Sequence, residues 1–106
     1  MSRYEIPASQ PYHRVVVGYD PPLGTFFAQV IDTTVPDTDA RPVLWVGTEV
    51  GEVPTVCALA VALQDYAAIP APEWEQLERE QQTIGFRPNF GIRLLHALRH
   101  AIKEQT

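Results

Sequence analysis

The sequence predicts an α+β domain in the order β-β-β-α-α-α: a three-stranded antiparallel meander followed by three helices, one of them packed on the sheet. Three observations carry this. Two runs rich in β-branched and aromatic residues, 13–19 (HRVVVGY) and 25–32 (TFFAQVID), flank a short turn of two prolines and a glycine. The unbroken apolar run from Val56 to Leu63 is too short for a membrane span and suits a buried helix. Residues 91–104 repeat apolar side chains at helical spacing and place basic ones opposite.

Taken in order, residues 1–11 read as an extension. Pro7 and Pro11 break regular structure there, while Tyr4 and Ile6 could dock on the body. Residues 12–69 hold the sheet and the first helix, and 70–106 a C-terminal helical pair, all within one domain over 1–106. A chain of 106 residues can bury one core without a metal or disulfide staple.

The first two strands form a hairpin whose register follows from sorting faces. With Pro21–Gly24 as the loop, Asp20 lies opposite Thr25, Tyr19 opposite Phe26, Val17 opposite Ala28 and Val15 opposite Val30. That face is then wholly apolar, whereas a loop one residue longer puts Arg14 with Val30 on one face and Gln29 with Val15 on the other. Gly24 takes the left-handed position of the turn. The other face carries Arg14, Val16, Gly18, Phe27, Gln29 and Ile31. Phe27 lies across from Gly18, where a ring can cover bare backbone. Val16, Phe27 and Ile31 leave this second face half apolar, so it is a candidate contact surface for the C-terminal helix or a partner chain.

Residues 33–42 (TTVPDTDARP) read as a polar loop and 43–48 (VLWVGT) as a third strand beside the second. The first helix is expected over 54–67, with Pro54 in its first turn. Val56, Leu59, Ala60 and Leu63 form its main stripe, off which Cys57 and Val61 lie. A helix apolar nearly all round is expected to be covered on two sides. A second helix, 72–82, docks through Trp74 and Leu77 and carries Glu73, Glu75, Glu78 and Glu80 around them. Residues 83–91 form a loop. The last helix, 91–104, has Leu94, Leu95, Leu98, Ala101 and Ile102 on one side, with Arg93, His96, Arg99, His100 and Lys103 on the other. The helical pair either covers the remaining apolar surface or swaps onto a second subunit.

The segments VVVGYDPPLGTFFAQV and LWVGT resemble those of small uncharacterised proteins of bacterial accessory or mobile DNA. The resemblance covers the first half of the chain. It implies a bacterial, intracellular setting and carries no functional residue with it.

Charge is unevenly spread. Residues 87–106 carry a net +3 and the other residues a net −8, for an overall −5. An acidic body argues against a general nucleic-acid binder and leaves a local basic contact open. Arg93, Arg99 and Lys103 face either an acidic partner or nucleic acid, or they pair with the acidic residues 73–80. The one cysteine excludes an internal disulfide and fits a cytoplasmic protein; the polar N-terminus is no signal peptide, and no membrane contact is expected.

Chemistry-bearing patterns are sparse. His96 and His100 with Glu104 make an i, i+4 ladder, but adjacent arginines repel a cation, so no metal is expected. Cys57 sits in the most apolar stretch, where a thiol is inert packing. The run GTEVGEVP lacks the lysine of a phosphate loop, and Glu49 and Glu52 oppose an anion. Asp32, Asp37 and Asp39 read as turn residues. No catalytic residue and no cofactor are expected. The reading is a non-enzymatic protein-interaction or regulatory module, with itself as a possible partner in a homodimer. The alternative is a nucleic-acid-associated factor using the basic last helix.

Overall fold

The structure is a computed structural model that describes residues 2–35 and 42–86. It is an α+β fold: a four-stranded antiparallel sheet in the order β1-β2-β3-β4 with two helices among the described residues. The strands are β1 (Tyr4–Ile6), β2 (His13–Asp20), β3 (Thr25–Asp32) and β4 (Leu44–Val46); the helices are α1 (Val56–Leu63) and α2 (Ala71–Thr83). The expected third helix, 91–104, lies outside the described residues.

The hairpin has the register that face sorting selects. Asp20 pairs with Thr25, Tyr19 with Phe26, Gly18 with Phe27, Val17 with Ala28 and Val15 with Val30. The Gly24 amide donates to the Pro21 carbonyl at 3.1 Å, closing the turn, and Gly24 has φ +60°. Only glycine takes that conformation at no steric cost.

The expectation of three strands is corrected to four. The N-terminal segment is a strand, not an extension: Tyr4 pairs with Val17 and Ile6 with Val15. The physical reason is the long β2, whose second edge would otherwise expose a row of unpaired backbone groups. Tyr4 and Ile6 alternate with Glu5, so pairing places both on the apolar face. The strand expected over 43–48 is shorter, Leu44–Val46, and this β4 pairs Val46 with Ala28, Trp45 with Gln29 and Leu44 with Val30.

Both helices are shifted from their expected bounds. α1 starts at Val56 because Thr55 is its cap, the hydroxyl accepting from the Ala58 amide at 3.0 Å. Pro54 therefore precedes the helix instead of opening it. α1 stops at Leu63, and the residues beyond turn to meet the N-terminal segment: Ala67 bridges Ala8, and the Ser9 amide donates to the Tyr66 carbonyl. α2 begins one residue earlier than the sequence suggests, at Ala71 behind Pro70.

The core lies between the helices and one sheet face. Val15, Val17, Tyr19, Phe26, Ala28 and Val30 pack against Val53, Val56, Leu59, Leu63 and Leu77. Phe26, Leu59, Leu63 and Leu77 are fully buried, each contributing roughly 1.5–3 kcal/mol over exposure. Leu77 anchors α2 as expected, with Trp74 partly buried beside it. Cys57 corrects another expectation. It is exposed, as is Val61, so the side of α1 turned away from the sheet is uncovered among the described residues.

Hydrogen bonds fasten the sheet edges. Ser2 and Tyr4 hydroxyls donate to the two carboxylate oxygens of Glu80 on α2, at 2.7 and 2.6 Å. The Ser2 hydroxyl also accepts from the Tyr19 amide. At the other side, the buried Thr25 hydroxyl accepts from the Val53 amide at 2.8 Å and donates to the Phe26 carbonyl at 2.9 Å. Thr25 thus ties the start of β3 to the segment that leads into α1.

Candidate functional site

The sheet face turned away from α1 and α2 is built by alternation. Residues that pair across antiparallel strands share a face. The pairs Glu5–Val16, Val16–Gln29 and Gln29–Trp45 therefore run as one row across all four strands. Next to it lie the pairs Gly18–Phe27 and Arg14–Ile31. Val16, Phe27 and Ile31 come together here, as the sequence suggests. The other candidates, Arg93, His96, Arg99, His100 and Lys103, lie outside the described residues.

Val16 and Phe27 retain only 4% and 5% exposure, yet neither belongs to the core that the helices cover. Ile31 is half-buried. Part of the shielding of Phe27 is local. A side chain built on Gly18 would come within 2.5 Å of the ring, so the ring rests on bare backbone. Val16 is flanked by the ion pair of Arg14 and Glu5, whose 3.1 Å contact joins two side chains more than half exposed. Such a pair is worth little in stability.

Beside Phe27 the face opens into a recess of about 330 Å³. Arg3, Asp20 and Leu23 bound it toward the hairpin end and β1; Trp45, Gly47 and Thr48 bound it toward β4, with Phe27 and Gln29 between. Trp45 is 56% exposed, and Val43, two residues before it, is 44% exposed. Sequence reasoning did not single out these two. Their face depends on the β3–β4 register, which is set across the ten-residue polar loop that precedes Val43. The usable signal is the pairing of Trp45 with Gln29: once β4 is aligned there, alternation turns the indole outward.

Glu52, Asp32 and Tyr4 have structural partners, whereas the buried His13 Nδ1 and Glu73 Oε2 have none among the described residues. Glu52 accepts from the Thr48 and Glu49 amides at 3.0 and 3.2 Å, so its carboxylate fills the amide turn an anion would need. Burial acts to raise that carboxyl, but the Gly47, Thr48 and Glu49 amides outweigh it and hold it below the usual range. Asp32 accepts from the Thr34 hydroxyl and amide, which lower its carboxyl in the same way. Asp32 is the last residue of β3, paired with His13, and its carboxylate holds the turn that follows; Asp37 and Asp39 lie outside the described residues. The Tyr4 phenol is pushed up, first by its bond to Glu80, then by burial and the charge of Glu80.

His13 stacks edge-on to Tyr12 at 4.6 Å and lies 6.0 Å from Tyr66. Among the described residues, no three His, Cys, Asp or Glu side chains converge to hold a metal ion, and no helix is long and apolar enough to cross a membrane. Among the described residues, the outer sheet face offers a concave and largely apolar feature beside Phe27 and Trp45. Compared with protein-family models, with curated proteins and with solved structures, the chain finds no match in any of the three.

Proposed function

We propose that this chain is a small non-enzymatic interaction or regulatory module, in a bacterial cytoplasmic setting, that binds a protein partner through the β4 side of its outer sheet face. The observation that supports this is the exposure of Trp45 and Val43 beside the recess floored by Phe27. A tryptophan more than half exposed on a sheet face offers a large apolar surface with a single N–H donor. Interface centres are enriched in this residue type, and a neighbouring pocket is where such anchors dock. Arg3 and Asp20 at the margin of the recess add one charge of each sign, which suits a peptide-like surface better than a uniformly charged polymer.

A photo-reactive phenylalanine analogue at position 45, in the full chain within its native cells, tests the reading. The expected result is a discrete protein adduct that the same analogue at exposed Glu75 does not give. An adduct of the mass of two copies makes the partner a second copy of this chain. Nucleic acid in the adduct, or identical products from positions 45 and 75, overturns the proposal.

A further inference from the structure

We propose that the partner segment docking beside Trp45 is basic: it seats a large apolar side chain between Trp45 and Phe27 and directs an arginine or lysine to Asp20. The inference rests on the reading of this face as a docking surface and adds the chemistry of what docks.

The recess exists because side chains are missing on both sides of Phe27. Gly18 pairs with Phe27 on β2. Gly47 lies against it from the β4 side: a Cβ there would fall 2.5 Å from the Phe27 Cα, and φ +87° disfavours any side chain. No neighbour in that row therefore fills the space beside the ring. The ring is the apolar floor, the exposed Trp45 one wall and Asp20 part of the opposite margin.

Span shows what fits. Asp20 on β2 and Trp45 on β4 stand two strand spacings apart across the sheet, about 10 Å. Residues i and i+2 of an extended segment lie on one face about 7 Å apart, and the reach of a long basic side chain covers the remainder. An apolar anchor and a basic residue two positions on match the two ends.

Charge decides the sign. Arg3 lines the recess and by itself favours an acid. Three carboxylates oppose it. Asp20 lines the recess too, its Oδ1 accepting from the Leu23 amide at 3.4 Å, which fixes the carboxylate at the margin. At the β4 side the Glu52 carboxylate accepts from the Thr48 amide, with Glu49 beside it. Arg14, the other cation of this face, is already paired with Glu5. Residues 1–86 carry a net −8, so the wider field also draws a cation.

The probes are two blocked tripeptides, phenylalanyl-glycyl-arginine and phenylalanyl-glycyl-glutamate, titrated into the full isotope-labelled chain. The expected result is that the arginine peptide shifts the Trp45 indole N–H and Gly47 amide signals at roughly threefold lower concentration than the glutamate peptide, the preference that one exposed ion pair supplies. Asp20→Asn keeps an acceptor for the Leu23 amide and should abolish the preference. Arg3→Gln removes the opposing charge and should widen it. Three results overturn the proposal: equal or tighter binding of the glutamate peptide; a preference for arginine that survives Asp20→Asn; or recess signals that neither peptide moves. In each of these cases the photo-adduct at position 45 decides separately whether the face docks a protein.

Discussion

The ring of Phe27 rests directly on the backbone of Gly18, its partner across the β2–β3 ladder. The space between them is too small for one carbon. A Cβ on Gly18 would lie 2.5 Å from Phe27 Cζ and would also collide with the carbonyl oxygen of Ser2. The second obstacle is backbone and cannot rotate away. Gly18→Ala should therefore destabilise the fold by about 1–3 kcal/mol, the usual cost of overpacking. It should also loosen the N-terminal strand. Urea melts read the first effect, and hydrogen exchange of the amides of β1 reads the second. Unchanged stability would mean that both the Phe27 ring and the Ser2 backbone have room to move aside.

Phe26 and Phe27 are sequence neighbours on opposite faces, and truncation should separate them. Phe26 is fully buried and stacks on Tyr19, with ring centroids 5.0 Å apart. Phe26→Ala should cost roughly 3–5 kcal/mol, as for a ring removed from a sealed core. Phe27→Ala should cost clearly less, because the face it leaves is not sealed by α1 or α2. Equal losses in matched denaturant melts would place Phe27 in a core as complete as that of Phe26.

Glu80 links β1 to α2 through Ser2 and Tyr4, which gives the link a pH dependence on the alkaline side. The Tyr4 phenol is raised in the folded state, chiefly by donating to Glu80. The fold therefore favours the neutral phenol. Its contribution is fully present below the unfolded value, near 10, and is lost as pH rises through the folded one. Tyr4→Phe and Glu80→Gln should each flatten the decline in stability above about pH 10. Tyr19, raised by burial, supplies a second part of that decline and should remain in both variants. An unaltered alkaline profile in Tyr4→Phe would show that the bond does not form in solution.

The hairpin, its register and the core face were legible because alternation and one short turn leave a single arrangement that hides every apolar residue. Gly24 was legible for the same reason. β1 was not, since three residues just before Pro7 carry almost no strand signal of their own; β1 exists because β2 needs an edge partner. Cys57 misled because eight apolar residues in a row imply covering on all sides, whereas the two described helices cover only the stripe of Val56, Leu59 and Leu63. Of the outer face, Val16, Phe27 and Ile31 follow from the hairpin register alone. Trp45 does not, because its alignment is fixed across a loop whose length sets no register.

Thr25 is the one buried polar residue among those described, and its hydroxyl both accepts from Val53 and donates to Phe26. Thr25→Val keeps the shape and removes both bonds. The Val53 amide then loses its acceptor in a buried setting, so the variant should lose about 1–3 kcal/mol. Thr25→Ser keeps the hydroxyl and should recover most of that. If Thr25→Val matches the parent in thermal melts, water reaches the Val53 amide and the site is not sealed.

Gly24 carries two separate constraints, and a double substitution can divide them. Its φ of +60° disfavours any side chain, which costs about 1 kcal/mol for alanine. The ring of Phe86 adds a steric constraint, because a Cβ there meets Cδ2 at 2.5 Å. Gly24→Ala in the parent should therefore cost more than 1 kcal/mol, both terms acting together. In a Phe86→Ala background the two closest ring contacts are gone and only the Cβ contact at 3.2 Å is left, so the same substitution should cost less, close to the backbone part of about 1 kcal/mol. The coupling between the two sites, read from four urea melts, reports whether Phe86 holds its place on the turn. Strictly additive costs would show that Phe86 does not rest on Gly24 in solution.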